Sequence, residues 1–226
     1  MRGFVPFGPD HQVVLGCLAV LAAALIIGRK RLQARDHRWV RWAVAALLVS
    51  NELIGFGIAL AHGVLDLPLQ LCDLALILTV VALLRRRPFV SQVAYCWALS
   101  GSLQAILTPE LLYGFPNYWW IKFFLSHGGM VLSVIYLAVT GRVALTPRAV
   151  WKIWLLTNVY AAGVGCVNWA FGTNYGYLAQ RPIQPSLLDV FGPWPYYILG
   201  MEGLALAFFF LCYAPFALAK HRAQQR

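Results

Sequence analysis

The sequence has little charge, and most of the charge it has is of one sign. Of its 226 residues, 12% are charged and only 8 are acidic, whereas 61% are hydrophobic. An average soluble domain carries about 25% charged residues, so composition excludes an ordinary water-soluble protein. No stretch is long and polar enough for a separate soluble domain, and no internal repeat or low-complexity segment is visible. We therefore predict a single integral membrane domain over residues 1–226.

The cysteines lack the spacing that metal sites and disulfide frameworks require. They stand singly in apolar runs, without a C-x-x-C pair, at positions 17, 72, 96, 166 and 212. We predict no metal site and no cofactor. The formal net charge is +10, but the basic residues lie between apolar runs, a pattern that encodes membrane orientation. Nucleic acid is therefore not a predicted partner.

Seven apolar runs follow one another along the chain. Most have about 17–23 residues, close to the ~20 that cross a ~30 Å hydrocarbon core. Backbone groups in lipid must bond within their own segment, and the runs do not alternate as strands do, so helices are predicted. The first run is interpreted as a retained helix, because its basic cluster follows it. The prediction is an all-α polytopic bundle of seven transmembrane helices, at about 12–28, 42–62, 68–84, 90–108, 120–140, 150–170 and 196–218.

Lysine and arginine are distributed unequally between the two sides of this bundle. Fifteen lie on the side that carries the C-terminus, and three, Arg2, Lys122 and Arg181, lie on the other. Because cytoplasmic loops are enriched in basic residues, we predict an external N-terminus and a cytoplasmic C-terminus. Lys122 is interpreted here as a residue of a helix end.

Polar residues break into the apolar runs at similar depth. The third run opens with Gln70, Cys72 and Asp73. At ~1.5 Å per residue, the polar positions of five helices fall ~6–12 Å below the outer interface. The others in this band are Gln104, His127, Asn168 and Glu202, with Glu52 just below them. Asn158 lies in the inner half and does not fit. Intramembrane ionisable groups are costly, so we predict a shared, water-accessible pocket that opens outward.

Each of these residues also has a structural interpretation. His127 can bond across helices instead of reacting, and Cys72 can be a small packing residue. Glu52 and Glu202 can brace the bundle. Gly128 and Gly129 predict a close approach of a neighbouring helix or ligand. The aromatic, Pro-rich loops 108–119 and 171–195 are typical of an interfacial belt, or of a lid over the pocket.

The chemistry that fits this pocket is nucleophilic. A thiolate needs a base or a positive charge nearby, and a cysteine with a histidine is the recurring solution. Cys72 and His127 lie at similar depth on different helices, and Asp73, Glu52 or Glu202 can orient the imidazole. Membrane lipids are then the predicted partners, with a lipid or acyl compound as substrate.

Several long motifs carry a resemblance to a known family: LPLQLCDL (67–74), LQAILTP (103–109), FFLSHG (123–128), NW with GTNY (168–175) and DVFGPWP (189–195). The sequence resembles the YwaF-like family of bacterial multi-pass membrane proteins over about residues 40–215. That family is similar to a eukaryotic transmembrane acyltransferase that builds polyunsaturated ether phospholipids. The resemblance implies a nucleophile at Cys72, a histidine at His127, and the bacterial cytoplasmic (inner) membrane. In the eukaryotic relative a histidine follows the cysteine, whereas Asp73 follows it here.

Two classes of function follow from these observations. The first is an enzyme that transfers or hydrolyses lipid acyl groups through Cys72 and His127. The second is a non-catalytic protein. It is either a carrier of a small or proton-linked solute, using Glu52, Asp73 and Glu202, or a membrane-embedded partner subunit. The carrier lacks the paired half-repeats typical of transporters.

Overall fold

Helices make up the regular structure of the part of the chain that is described. The computed structural model describes residues 3–65, 67–182 and 187–225. The prediction of an all-α protein is confirmed. The helices are α1 (Pro9–Ile27), α2 (Arg29–Gln33), α3 (Arg38–Ala61), α4 (Leu71–Leu84), α5 (Pro88–Trp97), α6 (Leu103–Leu107), α7 (Tyr118–Val139), α8 (Pro147–Phe171) and α9 (Tyr196–Gln224).

Five of the described helices are long and apolar enough to cross a membrane: α1, α3, α7, α8 and α9. Large apolar side chains on them are left uncovered by protein, for example Ile27 at 82% and Trp169 at 89% exposure. Such exposure suits helices that face lipid rather than water. The chain is a multi-pass integral membrane protein.

Two of the predicted runs take a different form from a single long helix. Helix α4 has 14 residues. The run predicted at 90–108 is a helical path in three pieces, α5, a π-helical turn at Ala98–Ser102, and α6. Within the π turn, the Ser100 hydroxyl donates to the Cys96 carbonyl at 2.7 Å, a side-chain bond that competes with the regular helical ladder.

The chain forms two compact units. The first contains Met1–Pro68 and Cys72–Val143. Within it, α7 packs against α1, α3 and the three pieces of the α5–α6 path. A Cβ on Gly128 would lie 2.8 Å from Leu18 of α1, and one on Gly129 would lie 2.7 Å from Leu48 of α3. The predicted close approach at these glycines is therefore confirmed for the neighbouring helices.

The second unit contains Leu69–Leu71 and Ala144–Arg226. Its helix α8 packs against α9. The Thr146 side chain caps the start of α8 by accepting from the Ala149 amide at 3.2 Å. Gly172 ends α8 with a left-handed φ of 65°, a conformation that glycine adopts without steric penalty. The prediction of a single domain stays a prediction.

Candidate functional site

A cavity of about 180 Å³ lies in the first unit and gathers four of the predicted site residues. Helix α4 contributes Cys72 and Asp73, α3 contributes Glu52, and α7 contributes His127. The sequence predicted similar depths for Cys72, Asp73 and His127, with Glu52 just below them, but it did not show that these side chains meet. The other residues lining the cavity are Leu76, Leu111, Trp119, Lys122, Phe123, Ser126 and Met130.

Helix α7 supplies one continuous face of this cavity. Its six lining positions are separated by three or one residues, so they follow a single stripe of the helix. The N-cap at Asn117 accepts from the Trp119 amide at 2.9 Å and defines where α7 begins. The lining positions are 119, 122, 123, 126, 127 and 130.

The hydrogen bonding of His127 defines its tautomer. Its Nδ1 lies 2.9 Å from the Phe123 carbonyl. A carbonyl only accepts, so this hydrogen-bond network assigns the hydrogen to Nδ1. The ring also stacks on Phe123, with centroids 4.2 Å apart. In the neutral ring, Nε2 then carries the lone pair and can accept a proton.

Cys72 lies in the first turn of α4, where its side chain is half-buried. Asp73 and Glu52 bring two carboxyl groups to the same cavity. Their negative charges disfavour ionisation of the Cys72 thiol before substrate arrives. Proton removal from the thiol therefore has to accompany any attack by its sulfur.

An ion-pair network crosses the cavity from α3 to α7. The Lys122 ammonium lies 2.6 Å from Glu52 Oε2, and the Ser126 hydroxyl donates to Glu52 Oε1. Asn51 Nδ2 donates in turn to Ser126 Oγ at 2.7 Å. Both carboxylate oxygens of Glu52 are thus satisfied. A buried charge is tolerated when it is paired and hydrogen-bonded in this way.

Lys122 is the fifth residue of α7, so its position near a helix end is confirmed. What the sequence did not show is that its side chain, 21% exposed, lines the cavity. Its alkyl stem crosses α3 over Gly55, where a Cβ would lie 2.2 Å from Lys122 Cε. The signal that could have revealed the pair was Glu52 itself, since a carboxylate in an apolar run needs a cationic partner.

Gln70 and Asn168 belong to the second unit, where they hold the segment that follows α8. Asn168 Oδ1 accepts from the Tyr175 amide, and its Nδ2 donates to the Tyr175 carbonyl. Gln70 Oε1 accepts from the Gly176 amide at 2.8 Å. Both side chains bond to backbone groups of that segment. Residues 183–186 of the predicted lid or belt lie outside the described part.

Glu202 belongs to a different cavity, of about 600 Å³, in the second unit. Its Oε2 accepts from Asn158 Nδ2 at 2.8 Å. The depth estimate that separated Asn158 from Glu202 is therefore wrong. It assumed that α8 and α9 end level, but Asn158 lies ~20 Å from the outer end of α8 and Glu202 lies ~9 Å from that of α9. Much of the lining of this cavity is apolar or aromatic, with the side chains of Leu178, Trp194, Tyr196 and Leu199.

Gln104 is the last of the predicted pocket residues. Gln104 lies in α6, where its carbonyl accepts from Thr108, and it is not among the residues that line either cavity. In the described ranges, no group of three or more His, Cys, Asp or Glu side chains is arranged to hold a metal ion.

Comparison with known proteins identifies the family. The chain matches the TMEM164 family over residues 6–213. It belongs to this family. It is also 27% identical to an uncharacterized protein of Treponema pallidum (strain Nichols), over 98% of this chain and 94% of that protein. No solved structure matches the chain.

The family match covers both cavities of this TMEM164-family protein. Residues 6–213 include the thiol, the imidazole and the Glu52–Lys122 pair of the first unit, as well as Glu202 and Asn158 of the second. What the first cavity offers chemically is a thiol, an imidazole with a free lone pair, and a charged pair, in a small space beside apolar side chains.

Proposed function

We propose that this protein transfers or hydrolyses lipid acyl groups through a covalent acyl-cysteine at Cys72. The observation that carries the proposal is that Cys72 and His127 line one cavity. The hydrogen bond from His127 Nδ1 to Phe123 leaves Nε2 able to accept the thiol proton. A cysteine paired with a histidine base is a recurring device for acyl transfer.

The reaction has two half-steps that balance in atoms and charge. In the first, the Cys72 sulfur attacks the ester carbonyl of an acyl lipid while His127 Nε2 takes the thiol proton. The carbon–oxygen bond breaks, and the leaving alkoxide takes that proton and departs as an alcohol. In the second, a lipid hydroxyl or water attacks the thioester, its proton passes through Nε2 to the sulfur, and the free thiol returns.

The size of the cavity suits the reacting ester group of a lipid and not the whole lipid molecule. Pockets that enclose drug-sized ligands measure about 300–1,000 Å³, whereas this one measures about 180 Å³. It has room for an ester group beside Cys72, while the acyl chain and head group extend beyond it. An adjoining lipid phase supplies such a substrate directly.

Formation of a thioester tests the proposal. Purified protein in neutral detergent is incubated with a fluorescent nitrophenyl ester of a long-chain fatty acid, and the label is challenged with neutral hydroxylamine. We expect hydroxylamine-sensitive label in the wild type and in Cys166→Ala, a matched control because Cys166 is exposed. Cys72→Ala should carry none. Equal labelling of Cys72→Ala and the wild type would reject the nucleophile.

The role of His127 is tested in the same assay by rate. Loss of a general base slows a step by about 10²–10⁴-fold, so His127→Gln should acylate that much more slowly. The control is His62→Gln, because His62 is exposed and bonds the Ile58 carbonyl of its own helix. A His127→Gln rate within a factor of two of the wild type would remove His127 from the mechanism.

A bundle of seven spans, with the N-terminus outside the cytoplasmic membrane of a bacterium, is part of the same proposal. Its support is the unequal distribution of lysine and arginine between the loops. In a cysteine-free background, Gln180→Cys should react with a membrane-impermeant maleimide added to intact cells. Arg148→Cys should react only after permeabilisation. The reverse pattern would invert the orientation.

A carrier of a small or proton-linked solute is the alternative function. The observation that favours it is Glu202, which forms no ion pair with any described residue and lines the larger cavity. In proteoliposomes, solute or proton flux that disappears with Glu202→Gln and survives Cys72→Ala would favour the carrier. The opposite dependence would favour the enzyme.

A further inference from the structure

A cluster of arginines lies in the first unit, where the segment before α3 meets the end of α7, away from the cavity of Cys72. Arg41 donates from Nε to the Leu83 carbonyl at 3.1 Å and lies 2.5 Å from Asp36 Oδ1. Arg142 approaches the same carboxylate oxygen at 3.6 Å. Two guanidinium groups therefore share one carboxylate.

Positive charge exceeds negative charge in this cluster. Arg86 also acts electrostatically on both Asp36 and Arg142, so the charges of three arginines act on one aspartate. Burial lowers the pKa of Arg142, and repulsion from Arg41 and then Arg86 lowers it further. A bound anion would stabilise the protonated Arg142 guanidinium and so oppose both effects.

Arg142 has hydrogen-bonding capacity that the described residues do not use. Its side chain is only 12% exposed, and a guanidinium carries five N–H donors in a planar fork. The 3.6 Å approach to Asp36 is too long for a hydrogen bond. A mostly desolvated guanidinium with open donors is a site of the kind that binds a carboxylate or a phosphate.

A second, independent observation lies beside the arginines. His37 Nε2 is buried and has no hydrogen-bond partner among the described residues. The His37 ring meets Tyr136 edge-on, with centroids 6.5 Å apart, and Tyr136 interacts electrostatically with Arg41 and Arg142. Buried polar groups normally have partners, so an open ring nitrogen next to a cationic cluster also points to a missing ligand.

We propose that Arg142, Arg86 and His37 form a binding site for a phosphate-bearing anion, anchored by the Arg41–Asp36 pair. The anion is either the head group of an anionic phospholipid or a soluble phosphate compound. Basic pockets at the ends of membrane helices bind anionic head groups in this manner. The site is independent of the acyl chemistry proposed for Cys72.

Membrane orientation alone does not account for the cluster. The excess of basic residues in loops requires exposed charges at the correct side, and most arginines of this chain satisfy it, Arg86 and Arg148 among them. It does not require Arg142 to be withdrawn from solvent against Asp36, a partner that already binds Arg41 more closely. A ligand that accepts from the remaining N–H donors of Arg142 would account for this position.

Ligand-dependent stabilisation of the full chain tests the site. The thermal unfolding midpoint is measured in neutral detergent at constant ionic strength, with added phosphatidylglycerol, phosphatidylcholine or inorganic phosphate. A ligand at a hundredfold excess over its Kd should raise the midpoint by about 5 °C or more in a chain of this size. We expect this rise with phosphatidylglycerol or phosphate in the wild type and in Arg148→Gln, and none with phosphatidylcholine.

The variants Arg142→Gln and Arg86→Gln should lose at least half of that rise. Arg148→Gln is the matched control, because it removes the same charge from an exposed position. Arg86 is exposed too, so its variant keeps the test valid if Arg142→Gln does not fold. A response to phosphatidylglycerol alone assigns the site to a lipid, and an equal response to phosphate assigns it to a soluble compound. Equal rises in all three variants, or no rise in the wild type, would overturn the proposal.

Discussion

At the scale of single residues, two histidines of the first unit carry their ring hydrogens on opposite nitrogens. His11 Nδ1 accepts from the Phe7 amide at 2.9 Å, so its Nε2 donates to the Ile106 carbonyl at 2.8 Å. His127 has its hydrogen on Nδ1. His11 is fully buried and both of its nitrogens are occupied, which gives it a structural role. Sequence reasoning did not single out His11, because its two partners are backbone atoms.

Substituting His11 should destabilise the protein strongly. His11→Ala leaves the Ile106 carbonyl unpaired, opens a cavity, and frees Phe7 from a left-handed φ of 57°. Comparable core truncations cost about 2–5 kcal/mol. The thermal midpoint in detergent should fall accordingly, whereas the exposed His62→Ala should stay within about 0.5 kcal/mol of the wild type. A small effect of His11→Ala would contradict the assigned hydrogen bonds.

The Glu52–Lys122 pair should show energetic coupling. Each single variant, Glu52→Gln or Lys122→Met, leaves a partly buried charge without its partner, which is strongly destabilising. The double variant removes both charges, so a double-mutant cycle should give a coupling energy of about 0.5–3 kcal/mol. The cycle is measured by unfolding in detergent.

The comparison pair is Arg181–Asp189, whose atoms are 3.2 Å apart and whose side chains are 37% and 45% exposed. Exposed pairs contribute about 0–1 kcal/mol. A coupling between Glu52 and Lys122 no larger than that of the exposed pair would show that the network does little for stability.

At the scale of elements, α7 is the helix on which the first unit depends. It contacts α1 and α3 through two adjacent glycines and lines the cavity through a single stripe. The cavity stripe of α7 mixes polar and apolar residues, so hydropathy alone does not mark it. The π turn at Ala98–Ser102 was not predicted either, because it depends on local side-chain bonds within an otherwise continuous apolar run.

Enlarging Gly128 should separate α7 from α1. The end of the Leu18 side chain lies 2.8 Å from where a Cβ would stand, so Gly128→Ala needs only a shift of that flexible end. Gly128→Val needs more space, and overpacking costs about 1–3 kcal/mol. Gly163→Val in α8 is the control, because no atom lies within 4 Å of its Cβ position. Equal midpoints for the two valine variants would contradict the close approach.

At the scale of the whole molecule, stability should depend on pH through Asp36. The hydrogen bond from Arg41, aided by the charges of Arg41, Arg142 and Arg86, lowers the pKa of Asp36 below its usual 3.8. A lowered folded-state pKa contributes stability that is present above the unfolded pKa of about 4 and is lost as pH falls through the folded pKa. The thermal midpoint should therefore decline below about pH 4.

The contribution of Asp36 to that decline can be isolated by substitution. Asp36→Asn should have a lower midpoint at pH 7, and the wild type and the variant should converge as the pH falls below about 4. Asp10→Asn, an exposed position at the start of α1, should leave the difference between pH 7 and pH 3 as in the wild type. A constant gap between wild type and Asp36→Asn at all pH values would contradict the linkage.

The sequence by itself determined the helical class, the membrane environment and the approximate bounds of the five long helices. These follow from local properties, the length of apolar runs and the need to satisfy backbone groups in lipid. It also predicted similar depths for Cys72, His127 and Asp73, with Glu52 just below them, because helical rise is constant.

Only the tertiary structure decided which side chains meet. A helix turns by ~100° per residue and packed helices can slide along one another by several ångströms, so partners cannot be read from depth alone. This is why the pairing of Glu52 with Lys122 and of Glu202 with Asn158 was not predicted. The hydrogen bonds of Gln70 and Asn168 to backbone groups were not predicted either. Contacts between distant parts of the chain depend on rotation and offset, which tertiary packing sets.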